Sequence, residues 1–150
     1  MRFLLLSLML SGCAYAVRAT GSLQREGDAL IVASTNGKSR PLELNGPSAA
    51  LARLDGYTVE LEGVTHKGAI RVTSWRVLEG LHGMSVWVGS VARTEHGIAL
   101  DDAENHVRLT LKGDGADVLW DEIGRAVLIE GFIDGTLQVQ VVDSIPLDGP

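Results

Sequence analysis

Four histidines and one cysteine are the side chains of this chain best suited to act as ligands, bases or nucleophiles near neutral pH. His66, His82, His96 and His106 lie far apart in sequence. None has the His-x-x-x-His spacing that sets two metal ligands on one helix face. Each is expected alone, in a turn or at a strand end. No Gly-x-Ser-x-Gly elbow, phosphate loop or dinucleotide turn is present. Asp101-Asp102-Ala103-Glu104-Asn105-His106 has enough oxygen donors for a hard cation, but not the alternating Asp-x-Asp-x-Asp-Gly order of a calcium loop. A solvated hairpin turn accounts for it. No catalytic residue, metal ligand or cofactor is expected, and the chain reads as a non-enzyme.

The single cysteine has another use. Leu10-Ser11-Gly12-Cys13 closes an apolar run, Phe3 to Leu10, that follows Arg2. A basic start, an apolar stretch and small residues before a cleavage point make a secretory signal. The order Leu-Ser-Gly-Cys resembles the lipobox of bacterial lipoproteins. The resemblance implies that residues 1–12 are a signal peptide and that Cys13 becomes an acylated N-terminus. It places the protein in the bacterial cell envelope, bound to the membrane through that lipid. In a diderm host, Ala14 after the cysteine is compatible with the outer membrane, facing the periplasm. A run of eight residues, seven of them apolar, is too short to cross a bilayer, which takes about 20. Ala14-Tyr15-Ala16 also reads as an ordinary small-x-small cleavage site, which would release a soluble chain lacking Cys13. A lone cysteine allows no intrachain disulfide, and acylation would remove a free thiol from an oxidising compartment.

The elements that position the remaining residues come from a repeated pattern. Leu44-Asn45-Gly46, Ala49, Gly56, Val59, Glu62-Gly63, Val72 and Leu78-Glu79-Gly80 recur as Leu111-Lys112-Gly113, Ala116, Gly124, Val127, Glu130-Gly131, Val139 and Leu147-Asp148-Gly149. The offset grows from 67 at Leu44 and Leu111 to 69 at Leu78 and Leu147. Earlier, Gly21-Ser22-Leu23 matches Gly89-Ser90-Val91. Such repetition marks two copies of one folding unit.

In each copy, alternating apolar residues predict three strands, a short helix and two more strands. Val107, Leu109 and Leu111 alternate as one buried face should. Pro47 fits the opening of the first helix, and Gly56 and Gly124 fit the left-handed position that ends each. Trp120, on the second helix, is expected to plug the bottom of its barrel. This order of elements resembles the OB-fold, a five-stranded Greek-key barrel, and periplasmic bacterial OB-fold proteins are the most similar class. The expected fold is all-β with minor helix: two tandem five-stranded OB-like barrels, at 13–80 and 81–150, after the signal peptide.

Chain length suits one domain or two very small ones. The formal net charge is −6. Removing residues 1–12 takes one of 13 cations against 19 carboxylates and leaves −7. The join, Val77 to Met84, has no Pro- or Ser-rich linker, so the barrels are expected to pack together. Trp75 and Trp87 flank it. They are expected either to pack between the barrels or to form an exposed binding platform.

OB domains often hold single-stranded nucleic acid in a basic groove with exposed aromatics. Lys38, Arg40, His106, Arg108 and Lys112 lie near the third strands, but no aromatic residue lies on the second or third strand of either copy. Solvated surface charge accounts for them, and an acidic envelope protein is a poor nucleic-acid binder. The expected function is a non-catalytic binding or structural module for an envelope protein, a peptide or a small ligand. Trp75, Trp87, Arg40 and Arg108 are the candidate surface. An oligonucleotide- or oligosaccharide-binding OB module is the alternative.

Overall fold

The computed structural model describes residues 15–148, so Cys13 and the proposed signal peptide lie outside the described residues. Strands make up 60% of the chain and helix 13%, which places the fold in the mostly-β class expected. Strands β1 (Ala16–Glu26), β2 (Ala29–Ala33), β3 (Ser39–Glu43), β4 (Thr58–His66) and β5 (Ala69–Glu79) form the first sheet. Strands β6 (Ser85–Thr94), β7 (Gly97–Asp102), β8 (Val107–Lys112), β9 (Ala126–Ile133) and β10 (Gln138–Pro146) form the second. A 3-10 helix, Gly46–Arg53, joins β3 to β4, with Pro47 in its first turn. A short α-helix, Asp114–Asp117, runs into a 3-10 turn, Val118–Glu122, between β8 and β9.

Each sheet closes on itself. The first runs β1-β2-β3-β5-β4 and back to β1; the second runs β6-β7-β8-β10-β9 and back to β6. All pairings are antiparallel except β3 with β5 and β8 with β10. Those parallel seams are short. The first spans only Leu42 with Ile70 and Glu43 with Arg71, so each sheet is a ring rather than a regular barrel.

The registers of the two rings correspond. Val17 lies opposite Gly63 and Gly21 opposite Val59 in the first ring; Ser85 lies opposite Gly131 and Gly89 opposite Val127 in the second. Every one of these positions is offset by 68. The Gly56 N–H donates to the Leu23 carbonyl, and the Gly124 N–H donates to that of Val91, across the same offset. Gly56 and Gly124 both take the positive φ expected of them. In the last strands the offset is 69, because the turn from β9 to β10 is one residue longer than that from β4 to β5; equivalent bulges at Thr73 and Val142 leave it unchanged. The third strands correct the sequence alignment. Leu42 pairs with Ile70 as Leu111 pairs with Val139, so Leu42 and not Leu44 is the counterpart of Leu111. A shift of two residues keeps every side chain on its face, so alternation could not detect it.

Equivalent glycines sit where the chain crosses itself. A β-carbon on Gly21 or Gly89 would overlap the carbonyl of Ala33 or Asp101. One on Gly63 or Gly131 would overlap that of Arg71 or Gln140. Glycine is used here for close backbone approach rather than for φ.

Each ring has its own apolar cluster. Leu23, Leu51, Leu54, Val59, Leu61 and Ile70 lie in the first, and Leu100, Leu109, Leu119, Val127, Ile129 and Val139 in the second. The first cluster also takes in Leu128 and Leu147 from the second half, with Val86, Val88 and Ile145 packed against it. Strand β9 explains how. Val127 and Ile129 point into their own ring while Leu128, between them, is buried against the other. The rings therefore share an apolar contact, as the short join implied.

Trp120 departs from expectation. It is 42% exposed, with the Arg93 guanidinium 5.6 Å from its ring centre, while its neighbour Leu119 is the residue buried in the second core.

Candidate functional site

The join between β5 and β6 is held by one buried carboxylate. Glu130, on the outward face of β9, is completely shielded from solvent. Its Oε1 accepts the N–H groups of His82 (2.7 Å) and Met84 (3.2 Å), and its Oε2 accepts that of Leu81 (3.1 Å). The His82 Nδ1 lies 3.1 Å from Oε2. Burial pushes this carboxyl up, but the hydrogen bonds from the His82 ring and from the His82 and Met84 N–H groups outweigh it and leave it below the ordinary glutamate value. His82 is thus not alone, as its sequence surroundings suggested. Nor is His66, whose Nδ1 lies 2.7 Å from Glu43 Oε2 in a half-exposed pair that Arg71 joins at 2.9 Å. Among the described residues, no group of three or more His, Cys, Asp or Glu is arranged to hold a metal ion.

Beside this latch the rings part, and a cleft of about 280 Å³ opens between them. Trp75, Arg76 and Val77 of β5 form one wall; Val86, Trp87 and Val88 of β6 face them. The turn after β7 closes the end with Asp102, Glu104 and Asn105. Both tryptophans are half-buried. Trp75 pairs across β4 with Leu61 and packs on the first core, and its indole N–H donates to the Pro47 carbonyl at 3.1 Å. Trp87 pairs across β9 with Ile129 and packs on the second core. Each ring contributes one tryptophan that packs on its own core, and both line the same cleft.

The turn is rigid by construction. Asp102 Oδ1 accepts the N–H groups of Glu104 and Asn105 at 3.0 Å each, and Oδ2 accepts the Asn105 side-chain amide at 2.7 Å. The Glu104 carboxylate makes no hydrogen bond or ion pair with a described residue. A second lobe of similar volume shares Trp75, Arg76 and Glu104 and continues over the outer face of β4. There Glu60 pairs with Arg18 (2.9 Å) and Arg76 (2.6 Å), and Glu62 accepts from the Ser74 hydroxyl at 3.1 Å. Across both lobes, two guanidinium groups face four carboxylates.

The structure does not bring Arg40 and Arg108 to this cleft. Arg40 donates to the Thr65 hydroxyl at 3.0 Å. Arg108 is engaged by Asp101 in a two-pronged pair, its Nη2 at 2.8 Å. Glu104, Asn105 and Arg76 belong to the cleft and were missed as a surface. Their signal was faint: the acidic turn lies at the Trp87 end of the β6–β7 hairpin, but Arg76 and Trp75 reach it only when the two rings pack together. No protein-family model, curated protein or solved structure matches this chain.

Proposed function

We propose that this chain is a non-catalytic, lipid-anchored protein of the bacterial cell envelope, and that it binds its ligand in the cleft between the two rings. The observation that carries the reading is the convergence of Trp75 and Trp87, from different rings and non-equivalent strands, on one cleft bordered by hydrogen-bonding groups. Concave sites with aromatic walls and a few fixed polar groups are where proteins take ligands. The duplication does not require this arrangement. By the registers above, the counterpart of Trp87 is Ala19 and that of Trp75 is Ser144. The cleft is thus particular to the join.

The anchoring rests on Leu10-Ser11-Gly12-Cys13 and its likeness to a lipobox. The order of strands, with a helix between the third and fourth, supports the OB-like reading. The histidine–carboxylate pairs have structural uses, in the join and in a surface ion pair. Labelling of the producing cells with a radioactive fatty acid tests the anchor. Incorporation that disappears in Cys13→Ala is expected; an unmodified mature chain beginning at Val17 overturns it. Tryptophan emission of the full chain, titrated with soluble envelope extract, tests the binding. A saturable change that persists in Trp120→Phe and is lost in a Trp75→Phe, Trp87→Phe double variant is expected. No change, or one carried by Trp120, overturns it.

A further inference from the structure

The cleft has a second property that points to its occupant: its walls are unpaired strand edges. Among the described residues, strand β5 pairs with β3 only at Ile70 and Arg71, and from there to Glu79 its sole strand partner is β4, with the 3-10 helix packed beside it. Strand β6 pairs with β7 only from Ser90 to Thr94, so residues 85–89 have β9 on one side and, among the described residues, no strand on the other. The segments 75–77 and 86–88 that line the cleft fall within these two stretches. An unpaired strand presents a row of N–H and C=O groups to any extended chain that can reach it.

The edges meet a site with a charge preference. Four carboxylates outnumber two guanidinium groups across the two lobes. Both guanidinium groups are already engaged by Glu60. Glu104 is exposed and uncommitted at the end of the cleft, on a turn fixed by Asp102. A cation placed there would have a free carboxylate within the same cleft as two indole rings, whose faces attract ammonium and guanidinium groups. An anion would meet uncompensated negative charge.

We propose that the cleft binds an extended, lysine- or arginine-bearing segment of a partner protein. Its backbone pairs with the free edge of β6 at residues 86–88, and one basic side chain is held by Trp75, Trp87 and Glu104. The mode is strand addition, in which backbone hydrogen bonds give affinity and a side-chain pocket gives selectivity. The two lobes sharing Trp75, Arg76 and Glu104 suit an elongated ligand rather than a compact one. This deepens the binding reading above and rests on it.

The test uses the full chain in detergent and a fluorescent acetyl-(Val-Lys)₃-amide peptide, read by polarisation. The comparison probes are its Val-Glu counterpart, the Val-Lys peptide N-methylated at alternate residues, spermidine, and the neutral sugar chitotetraose. Saturable binding of the Val-Lys peptide is expected, with none of the Val-Glu peptide and loss on N-methylation. Glu104→Gln, an exposed turn position, should weaken it at least about tenfold, and Trp87→Phe should weaken it less. Equal binding of the Val-Glu peptide, or indifference to Glu104→Gln, overturns the proposal. Spermidine binding as tightly as a peptide that tolerates N-methylation also overturns it, in favour of a free cation. Chitotetraose binding without peptide binding overturns the cationic segment but leaves the binding module standing. If no probe binds and envelope extract leaves the tryptophans unchanged, both readings fall.

Discussion

The carboxylate of Glu130 occupies the space in which a β-carbon on Gly80 would have to sit. Gly80 ends β5's passage out of the first ring, and Glu130 belongs to the second. The two residues meet because the chain turns through Leu81, His82 and Met84, whose N–H groups Glu130 accepts. The join is a fixed corner, and the cleft beside it inherits that geometry.

Removing either partner should loosen the corner. Glu130→Ala strips three half-buried N–H groups of a charged acceptor and should cost about 3 kcal/mol. Gly80→Ala forces a methyl group into the carboxylate and should cost about 2 kcal/mol. Because the Gly80→Ala penalty is contact with Glu130 itself, the double variant should be more stable than the sum of the single effects implies, by at least about 1 kcal/mol. Urea unfolding of the four proteins measures this, and strict additivity would contradict the contact.

Acid should weaken the same corner. Glu130 lies below its ordinary value in the folded protein, so the unfolded chain binds the proton more readily. The stability it contributes is complete above about pH 4.5, where the unfolded glutamate is ionised, and is lost as pH falls through the lower folded value. Glu43, held down by Arg71 and then His66, Glu60, held down chiefly by Arg18, and Asp101, held down by Arg108, shift in the same direction. They are more exposed than Glu130, and solvent screens them. Thermal midpoints of wild type and Glu130→Gln should therefore converge as pH drops from 6 to 3. Parallel curves would show that the carboxylate is not coupled to folding.

Tyr57 offers the opposite change. Its side chain is buried, and its hydroxyl has no hydrogen-bond partner among the described residues. Burial, then the charges of Glu130 and Asp143, push the phenol up to about 12. A hydroxyl buried without a partner is a cost in the folded state. Tyr57→Phe removes only that atom, so stability should hold or rise by up to about 1 kcal/mol. A loss of more than that in calorimetry would reveal a hydrogen bond that holds the hydroxyl.

Much of the ring architecture was legible because it is local. Alternation at Val107, Leu109 and Leu111, Pro47 at a helix start, and Gly56 and Gly124 at positive φ are each read from a few neighbouring residues. The corner was not legible, because Glu130 is 46 to 49 residues from the N–H groups it accepts. One trace of it exists. The first copy alternates as Val59-Glu60-Leu61, whereas the second reads Val127-Leu128-Ile129. A continuous apolar run marks a strand covered on both faces, and the covering element proved to be the other ring. Trp120 was misplaced for a related reason. Leu119 and Trp120 are adjacent on a tight turn, so only one can face the core, and the sequence does not say which.

The proposed ligand seat draws on both rings, and three indole N–H signals can test that directly. The full chain has tryptophans at 75, 87 and 120, and Trp120 lies on the exposed helical turn away from the cleft lining. In a ¹⁵N-indole NMR titration with acetyl-(Val-Lys)₃-amide, the Trp75 and Trp87 signals should move together, with one midpoint, while that of Trp120 stays in place. Separate midpoints for Trp75 and Trp87, or a shift confined to Trp120, would contradict a single seat at the join.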